Sequence, residues 1–232
     1  MCKVVKFSIG KMPITVYGEK GDKVLIYVHG QGGRANEVEN LTDFIKNKGY
    51  QILAVDLPGH GERNDDKNFV PWTVIPELKS VGEYVKGCWK HFVVCATSIG
   101  AWFSIFAFFD IGVDKFLFFS PLVDMKNMID NLMSAAHVTE ARLEKEKVIE
   151  TEFGQTLSIE YLNWVRNNPV AFVNGKTSIL YAKNDAVIPF STVKTFADKY
   201  NCKLTVMDDG EHWFHTQLQI AYLKTWLNDE LN

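Results

Sequence analysis

The chain has 232 residues, of which 47% are hydrophobic, and a formal net charge of -3. This length and this hydrophobic content are enough for one sizeable domain with a buried core. The small negative charge, with lysines and arginines scattered along the chain, argues against nucleic-acid binding. The longest apolar stretch, residues 99–109, is shorter than the roughly 20 residues that a membrane span requires.

The predicted elements begin with two short β-rich segments on either side of Lys11-Met12-Pro13, a pattern typical of an antiparallel hairpin. Strand-like and helical runs then alternate. The strand-like runs are residues 23–29, 50–56, 91–96, 114–120, 176–182 and 203–207. The helical runs are residues 36–48, 75–89, 99–110, 190–199 and 215–227. This alternation predicts an α/β fold with a mainly parallel central sheet flanked by helices.

The segment between residues 121 and 172 interrupts the alternation, because it contains no strand pattern. Its apolar residues fall at helical spacing and include Met125, Met128 and Met133. One interpretation is a helix packed on the core. The other is a helical cap whose flexible methionine side chains contact a substrate. We predict a single domain over residues 1–232 with a helical cap insertion at about 121–172.

The number and spacing of the cysteines indicate a reducing compartment. Cys2, Cys88, Cys95 and Cys202 are widely separated and form no C-x-x-C pair, which favours reduced thiols and argues against a metal site. The first ten residues lack the uninterrupted apolar segment of a signal peptide. We therefore expect a cytoplasmic protein.

The run F-V-V-C-A-T-S-I-G, residues 92–100, joins a predicted buried strand to an apolar helix. A serine on such a sharp turn exposes its hydroxyl, provided that its neighbours are small. Ala96 and Gly100 are small residues on either side of Ser98, although the usual pattern, G-x-S-x-G, has glycine at the first position. Ser98 is therefore the candidate nucleophile.

Together with the turn at Ser98, three further motifs give the chain a resemblance to the α/β-hydrolase family, which extends from His29 to the final helix. H-G-Q-G-G at residues 29–33 is similar to the H-G-x-G-G oxyanion loop of the family. D-L-P-G-H-G at residues 56–61 resembles its D-x-P-G-H-G turn, and G-E-H-W-F at residues 210–214 resembles the loop that carries the catalytic histidine. The resemblance implies the α/β-hydrolase fold and a catalytic order of serine, acid and histidine.

The resemblance assigns the acid to Asp185, which follows the strand at 176–182, and the base to His212. Asp124 is the alternative acid, because some members carry it after the preceding strand. His215 is close enough in sequence to be a rival base, but His212 directly follows the Gly-Glu turn.

The backbone N–H groups of Gln31 and Ile99 are the expected oxyanion donors. The implied chemistry is acyl transfer to Ser98, with His212 as the base and Asp185 orienting the imidazole. We predict a serine hydrolase for an ester or thioester of a small to medium, mostly uncharged small molecule, without cofactor or metal. Two alternatives stay open, namely an acyltransferase that uses the same acyl-serine and a non-catalytic ligand-binding protein with this fold.

Overall fold

The computed structural model describes residues 3–171 and 176–231, which contain ten strands and eight α-helices. The strands are β1 (Val4–Ile9), β2 (Met12–Tyr17), β3 (Lys23–Val28), β4 (Tyr50–Val55), β5 (His91–Ser98), β6 (Lys115–Pro121), β7 (Val148–Glu150), β8 (Thr156–Ser158), β9 (Thr177–Ala182) and β10 (Lys203–Met207). The α-helices are α1 (Thr42–Asn47), α2 (Pro71–Cys88), α3 (Ile99–Phe108), α4 (Met125–Ala135), α5 (Glu140–Glu146), α6 (Ile159–Asn167), α7 (Phe190–Lys199) and α8 (Gln217–Glu230). Two 3-10 helices cover Ala35–Leu41 and Gly61–Arg63.

Eight of the strands form one sheet in the order β1-β2-β4-β3-β5-β6-β9-β10. The pairs β1–β2 and β2–β4 are antiparallel. All the other neighbouring pairs of this sheet are parallel. The central parallel strands are buried almost throughout, which explains why they occur in the sequence as continuous apolar runs. The α/β fold predicted from the alternation of elements is confirmed.

The parallel strands run in the same direction, so their carboxyl ends meet at one edge of the sheet, where open α/β sheets bind ligands. His29 follows the end of β3, and Ser98 is the last residue of β5. Asp185 lies in the loop after β9, and His212 lies in the loop after β10. The topology therefore brings the candidate catalytic loops to the same edge.

The N-terminal hairpin has a tighter turn than the sequence pattern indicated. The prediction placed Lys11-Met12-Pro13 between the strands, but Met12 and Pro13 belong to β2 and pair with Ile9 and Ser8. The turn is shorter because Gly10 adopts a φ of +59°, a conformation that favours glycine. Pro13 has no N–H to donate, and its carbonyl accepts a hydrogen bond from the Asp56 backbone.

Helix ends differ from the predicted ends where capping residues decide them. α2 begins at Pro71, earlier than predicted, because proline is well suited to the first turn of a helix. α8 begins at Gln217, later than predicted, because Thr216 and Gln219 form a capping box. The helix predicted at 36–48 is instead the 3-10 helix Ala35–Leu41 followed by the short α1.

The longest apolar stretch forms α3, and almost all of this helix is buried, including Trp102, Phe103 and Phe108. This burial confirms the prediction of a core helix. In the two described stretches of the chain, no helix combines the length and hydrophobicity needed to cross a bilayer.

The described chain divides into two compact units, and the smaller is Asp124–Ala171. This unit contains α4, α5 and α6, but also an antiparallel pair of strands, β7 and β8. The prediction of an insertion without strands was therefore wrong. Each strand spans three residues and buries one side chain, that of Ile149 in β7 and that of Leu157 in β8. Three residues are too few to show an alternation of apolar and polar residues in the sequence. The predicted boundary at residue 172 lies outside the described residues, and the role of this unit as a cap stays a prediction.

Candidate active site

Ser98 occupies a strained turn between β5 and α3. Its φ is +49° and its ψ is -128°, a conformation that is costly for a residue with a side chain. The pairing of β5 with β6 shifts register between Thr97 and Ser98, and the Ser98 carbonyl accepts a hydrogen bond from the Leu122 backbone at 3.0 Å. Strain of this kind is found at functional sites, where the surrounding structure holds it in place.

Two glycines make this turn fit against the loop after β3. A Cβ atom at Gly100 would lie 2.3 Å from the carbonyl oxygen of His29 and 2.6 Å from that of Val28. A Cβ atom at Gly30 would lie 3.0 Å from the Cβ atom of Ser98. A side chain is therefore excluded at Gly100, and the space at Gly30 is tight. Ala96, by contrast, is a regular, fully buried β5 residue, so alanine is accommodated where the usual pattern has glycine.

The side chains of Ser98, His212 and Asp185 form a hydrogen-bonded chain. Nε2 of His212 lies 3.1 Å from Oγ of Ser98, and Nδ1 of His212 lies 2.7 Å from Oδ2 of Asp185. The carboxylate accepts a hydrogen bond from Nδ1–H, which leaves Nε2 free to accept the proton of the serine hydroxyl. The structure thus brings together the three residues that the sequence assigned as nucleophile, base and acid.

The Asp185 carboxylate is held in a fixed orientation. Its side chain is 0% exposed, and Oδ1 accepts hydrogen bonds from the backbone N–H groups of Val187 at 2.8 Å and Ile188 at 2.9 Å. Oδ2 remains for the imidazole of His212. A carboxylate fixed in this way selects one tautomer of the histidine and stabilises its charged form.

The loops that carry the acid and the histidine are bonded to each other. The backbone of Asn184 donates to the carbonyl of Gly210 at 2.9 Å, and that of Lys183 donates to the carbonyl of Met207, also at 2.9 Å. A Cβ atom at Gly210 would lie 3.0 Å from Cα of Ala182, so glycine allows this approach without displacing the neighbouring strand. These contacts fix the distance between Asp185 and His212.

The two alternative candidates have other partners. Asp124 caps α4, since its side chain accepts a hydrogen bond from the Asn127 backbone at 2.9 Å. Nδ1 of His215 donates to the carbonyl of Trp213 at 2.7 Å, and the two rings stack with their centroids 4.7 Å apart. Asp185 and His212 are therefore the pair that the structure places at Ser98.

Two histidines organise the loop at 29–33. Nδ1–H of His29 donates to the Gly30 carbonyl at 2.7 Å, and Nε2 accepts from the Leu57 backbone at 3.1 Å. Burial lowers the pKa of His29 to about 4, so the ring is uncharged at neutral pH. Nε2 of His60 accepts from the backbone of Gly32 at 2.9 Å. Both rings serve the structure of the loop.

The carboxylate of Asp56 joins the 3-10 helix Ala35–Leu41 to the 3-10 helix Gly61–Arg63. It accepts hydrogen bonds from the backbone of Ala35 at 2.7 Å and of Glu62 at 3.1 Å. A Cβ atom at Gly61, where φ is +53°, would lie 2.0 Å from this carboxylate. The sequence identified the D-L-P-G-H-G motif but not the close approach of Gly61 to the Asp56 carboxylate. The spacing of Asp56 and Gly61 within the motif was the available signal.

The predicted oxyanion donors belong to two segments, the start of α3 and the loop after β3. Ile99 is the first residue of α3, where backbone N–H groups have no partner within the helix. Gln31 lies in the turn of the loop after β3. Their role as oxyanion donors stays a prediction.

The methionines proposed for substrate binding lie on α4, in the smaller unit. Met125 and Met133 are buried and Met128 is half-buried. Their contact with a substrate stays a prediction.

Within residues 3–171 and 176–231, no three His, Cys, Asp or Glu side chains are grouped so that they could hold a metal ion.

No protein-family model and no curated protein matches this chain. Its structure is similar to that of α/β-hydrolase domain-containing protein 10 from mouse, with a TM-score of 0.77 and 15% identity over 98% of this chain and 97% of the other. It is similar to Est1E from Butyrivibrio proteoclasticus, solved with ferulic acid bound, with a TM-score of 0.73 and 17% identity over 98% of this chain and 99% of that one. An esterase from Pyrococcus furiosus gives a TM-score of 0.73 and 18% identity over 100% of this chain and 90% of the other. This chain has the α/β-hydrolase fold, as its sequence motifs predicted.

Proposed function

We propose that this protein is a serine hydrolase that cleaves a carboxylic ester or thioester through an acyl-serine intermediate. The observation that carries the proposal is the hydrogen-bonded chain from Ser98 through His212 to the buried carboxylate of Asp185. Each contact lies in the range that general-base activation of a serine requires. The strained turn at Ser98 supports the same role.

In the first half of the reaction, Oγ of Ser98 attacks the carbonyl carbon of the substrate while Nε2 of His212 accepts the hydroxyl proton. Asp185 stabilises the imidazolium that forms. The backbone N–H groups of Ile99 and Gln31 bind the oxyanion of the tetrahedral intermediate, an interaction that typically contributes about 100-fold to 1,000-fold in rate per donor. The imidazolium then protonates the leaving alcohol or thiol, and the acyl group stays on Ser98.

In the second half, a water molecule takes the place of the leaving group. Nε2 of His212 accepts a proton from this water, which attacks the acyl-serine carbonyl. Collapse of the second tetrahedral intermediate returns the proton to Oγ of Ser98 and releases the carboxylic acid. In both halves, therefore, His212 accepts the proton of the nucleophile and donates it to the leaving group.

The proposed substrate is a small to medium, mostly uncharged ester. The apolar stripe of methionines on α4 favours an uncharged acyl or alcohol group. Ester cleavage also agrees with the similarity of this fold to that of the esterase from Pyrococcus furiosus, at 18% identity.

We also propose that the protein works in the cytosol. Cys88, Cys95 and Cys202 are free thiols, and burial raises the pKa of Cys95 to about 12, so this thiol is unreactive. Free thiols are typical of a reducing compartment. Fractionation of the source cells should recover the protein with cytosolic markers, and recovery from the secreted fraction would contradict the proposal.

The decisive test is hydrolysis of p-nitrophenyl esters of increasing acyl length by the wild type and by Ser98→Ala. The matched control is Ser80→Ala, because Ser80 lies on the exposed part of α2 and its hydroxyl bonds only its own helix. We expect Ser98→Ala to lose roughly a thousandfold or more in rate and Ser80→Ala to keep the wild-type rate. Equal turnover by the wild type and Ser98→Ala would contradict the proposal.

A further inference from the structure

A cavity of about 220 Å³ lies in the larger unit, beside the candidate catalytic residues but separate from them. Its wall includes Thr97 and Trp213, which are the chain neighbours of Ser98 and His212. Ser98, His212 and Asp185 do not line it. A molecule in the cavity would therefore not contact the three catalytic side chains.

The wall of the cavity is mainly apolar and aromatic. The rings of Phe119 and Phe214 pack edge to face with their centroids 5.8 Å apart, and Tyr27 and Trp213 add two more aromatic side chains. Lysine and arginine are absent from the lining residues that the structure describes. Aromatic faces attract cations, so the polar group of a ligand here is expected to carry positive charge.

The lining also contains one carboxylate, that of Glu37 in the 3-10 helix Ala35–Leu41. Its Oε2 accepts a hydrogen bond from the hydroxyl of Tyr27 at 2.9 Å. A carboxylate has about four acceptor positions, and this bond and a backbone hydrogen bond from Arg34 use only part of them. Both oxygens would lie 3.0 Å from a Cβ atom at Gly33, so glycine at this position leaves room for the carboxylate.

The charge of Glu37 is incompletely compensated. Burial raises the pKa of Glu37, and the Tyr27 hydroxyl, the backbone and charge of Arg34 and the nearby His60 ring offset this effect only in part. A positively charged ligand would supply the missing compensation. Although its carboxylate is partly buried, Glu37 as a whole is an exposed residue, so a ligand can reach it from solvent.

We propose that this cavity binds a small organic cation, with a primary alkylammonium as its simplest form. The ammonium group lies against the Glu37 carboxylate, where charge-assisted hydrogen bonds form. The hydrocarbon part packs on Phe119, Phe214 and Trp213. This binding is independent of the catalytic role proposed for Ser98, because Ser98 does not line the cavity.

The test is calorimetric titration of the full chain with n-butylammonium, with 1-butanol as the neutral and butyrate as the anionic counterpart. Glu37→Gln removes the charge and keeps an acceptor for Tyr27. The matched control is Glu39→Gln, an exposed acid of the same 3-10 helix that is absent from the cavity wall. We expect Glu37→Gln to weaken n-butylammonium binding about tenfold or more, and Glu39→Gln and Ser98→Ala to leave it unchanged.

The neutral alcohol should bind the wild type more weakly than the ammonium and should be insensitive to Glu37→Gln. A second variant, Trp213→Ala, removes a side chain that is 69% exposed, so the fold should tolerate it. It should weaken n-butylammonium binding about threefold or more. The proposal is overturned if the wild type shows no saturable binding below about 50 mM, a very weak affinity. It is also overturned if both the Glu37 and Trp213 variants bind n-butylammonium like the wild type, or if 1-butanol binds as tightly.

Discussion

Replacing Gly100 by alanine should displace the turn that carries Ser98. The added Cβ atom would lie 2.3 Å from the His29 carbonyl oxygen, whereas real Cβ contacts essentially never fall below 3.0 Å, so one segment must move by at least 0.7 Å. The obstructing atoms belong to the backbone at the end of β3, which cannot rotate away. Overpacking of this kind costs about 1–3 kcal/mol of folding stability.

The same displacement should lower the rate of ester hydrolysis. Ser98 directly precedes α3, so a shift of this helix moves Oγ relative to Nε2 of His212. A misplacement of about 1 Å can cost on the order of 100-fold, so we expect Gly100→Ala to lose roughly 10-fold to 100-fold in kcat/KM.

Gly87→Ala is the matched control for this prediction. Gly87 lies within α2, and an added Cβ atom there meets no atom within 4 Å. Alanine is the better helix former, so this variant should gain up to about 1 kcal/mol and keep its activity. Urea unfolding and p-nitrophenyl ester hydrolysis measure the two effects. If Gly100→Ala were as stable and as active as Gly87→Ala, the steric reasoning would be refuted.

Two further predictions concern the acid and the buried histidine. Asp185→Asn should lower kcat by about 1,000-fold to 10,000-fold because the amide no longer selects the productive tautomer of His212. Asp124→Asn should keep nearly full activity. If Asp124→Asn lost more esterase activity than Asp185→Asn, the acid would be misassigned. The pKa of His29 is about 4 in the fold against 6.5 in an unfolded chain, so the unfolded state binds more protons between these values and wild-type stability falls as pH drops from 6.5 to 4. This contribution amounts to about 3 kcal/mol, and it should be missing in His29→Gln. Urea unfolding between pH 4 and pH 7 measures it, and parallel stability curves for the wild type and the variant would contradict the neutral, buried ring.

The sequence predicted the central sheet well because its strands have a strong and simple signal. The strands that end near His29, Ser98 and Asp185 are buried on both faces, so each is a short apolar run bounded by polar residues or glycine. The motifs then located the catalytic loops at the carboxyl ends of these strands. Their geometry followed from the topology, since parallel strands present these ends at the same edge.

The features that the sequence did not predict depend on contacts between distant residues. The pairing of β7 with β8 rests on one buried residue from each strand, Ile149 and Leu157, and leaves no periodic pattern. The bond between Asn184 and the carbonyl of Gly210 joins two loops through backbone atoms, which carry no sequence signal. Glu37 belongs to no motif in the sequence, and only the folded chain places it beside aromatic residues from β3, β6 and the histidine loop.

Labelling by a fluorophosphonate tests the central claim most directly, because this reagent phosphonylates a serine only when a neighbouring base activates it. We predict that peptide mass spectrometry finds one label, on Ser98, in the wild type, and that the label is lost in His212→Gln but kept in the variant of the neighbouring histidine, His215→Gln. Absence of a label on wild-type Ser98, or equal labelling after the His212 substitution, would contradict the account of Ser98 as an activated nucleophile.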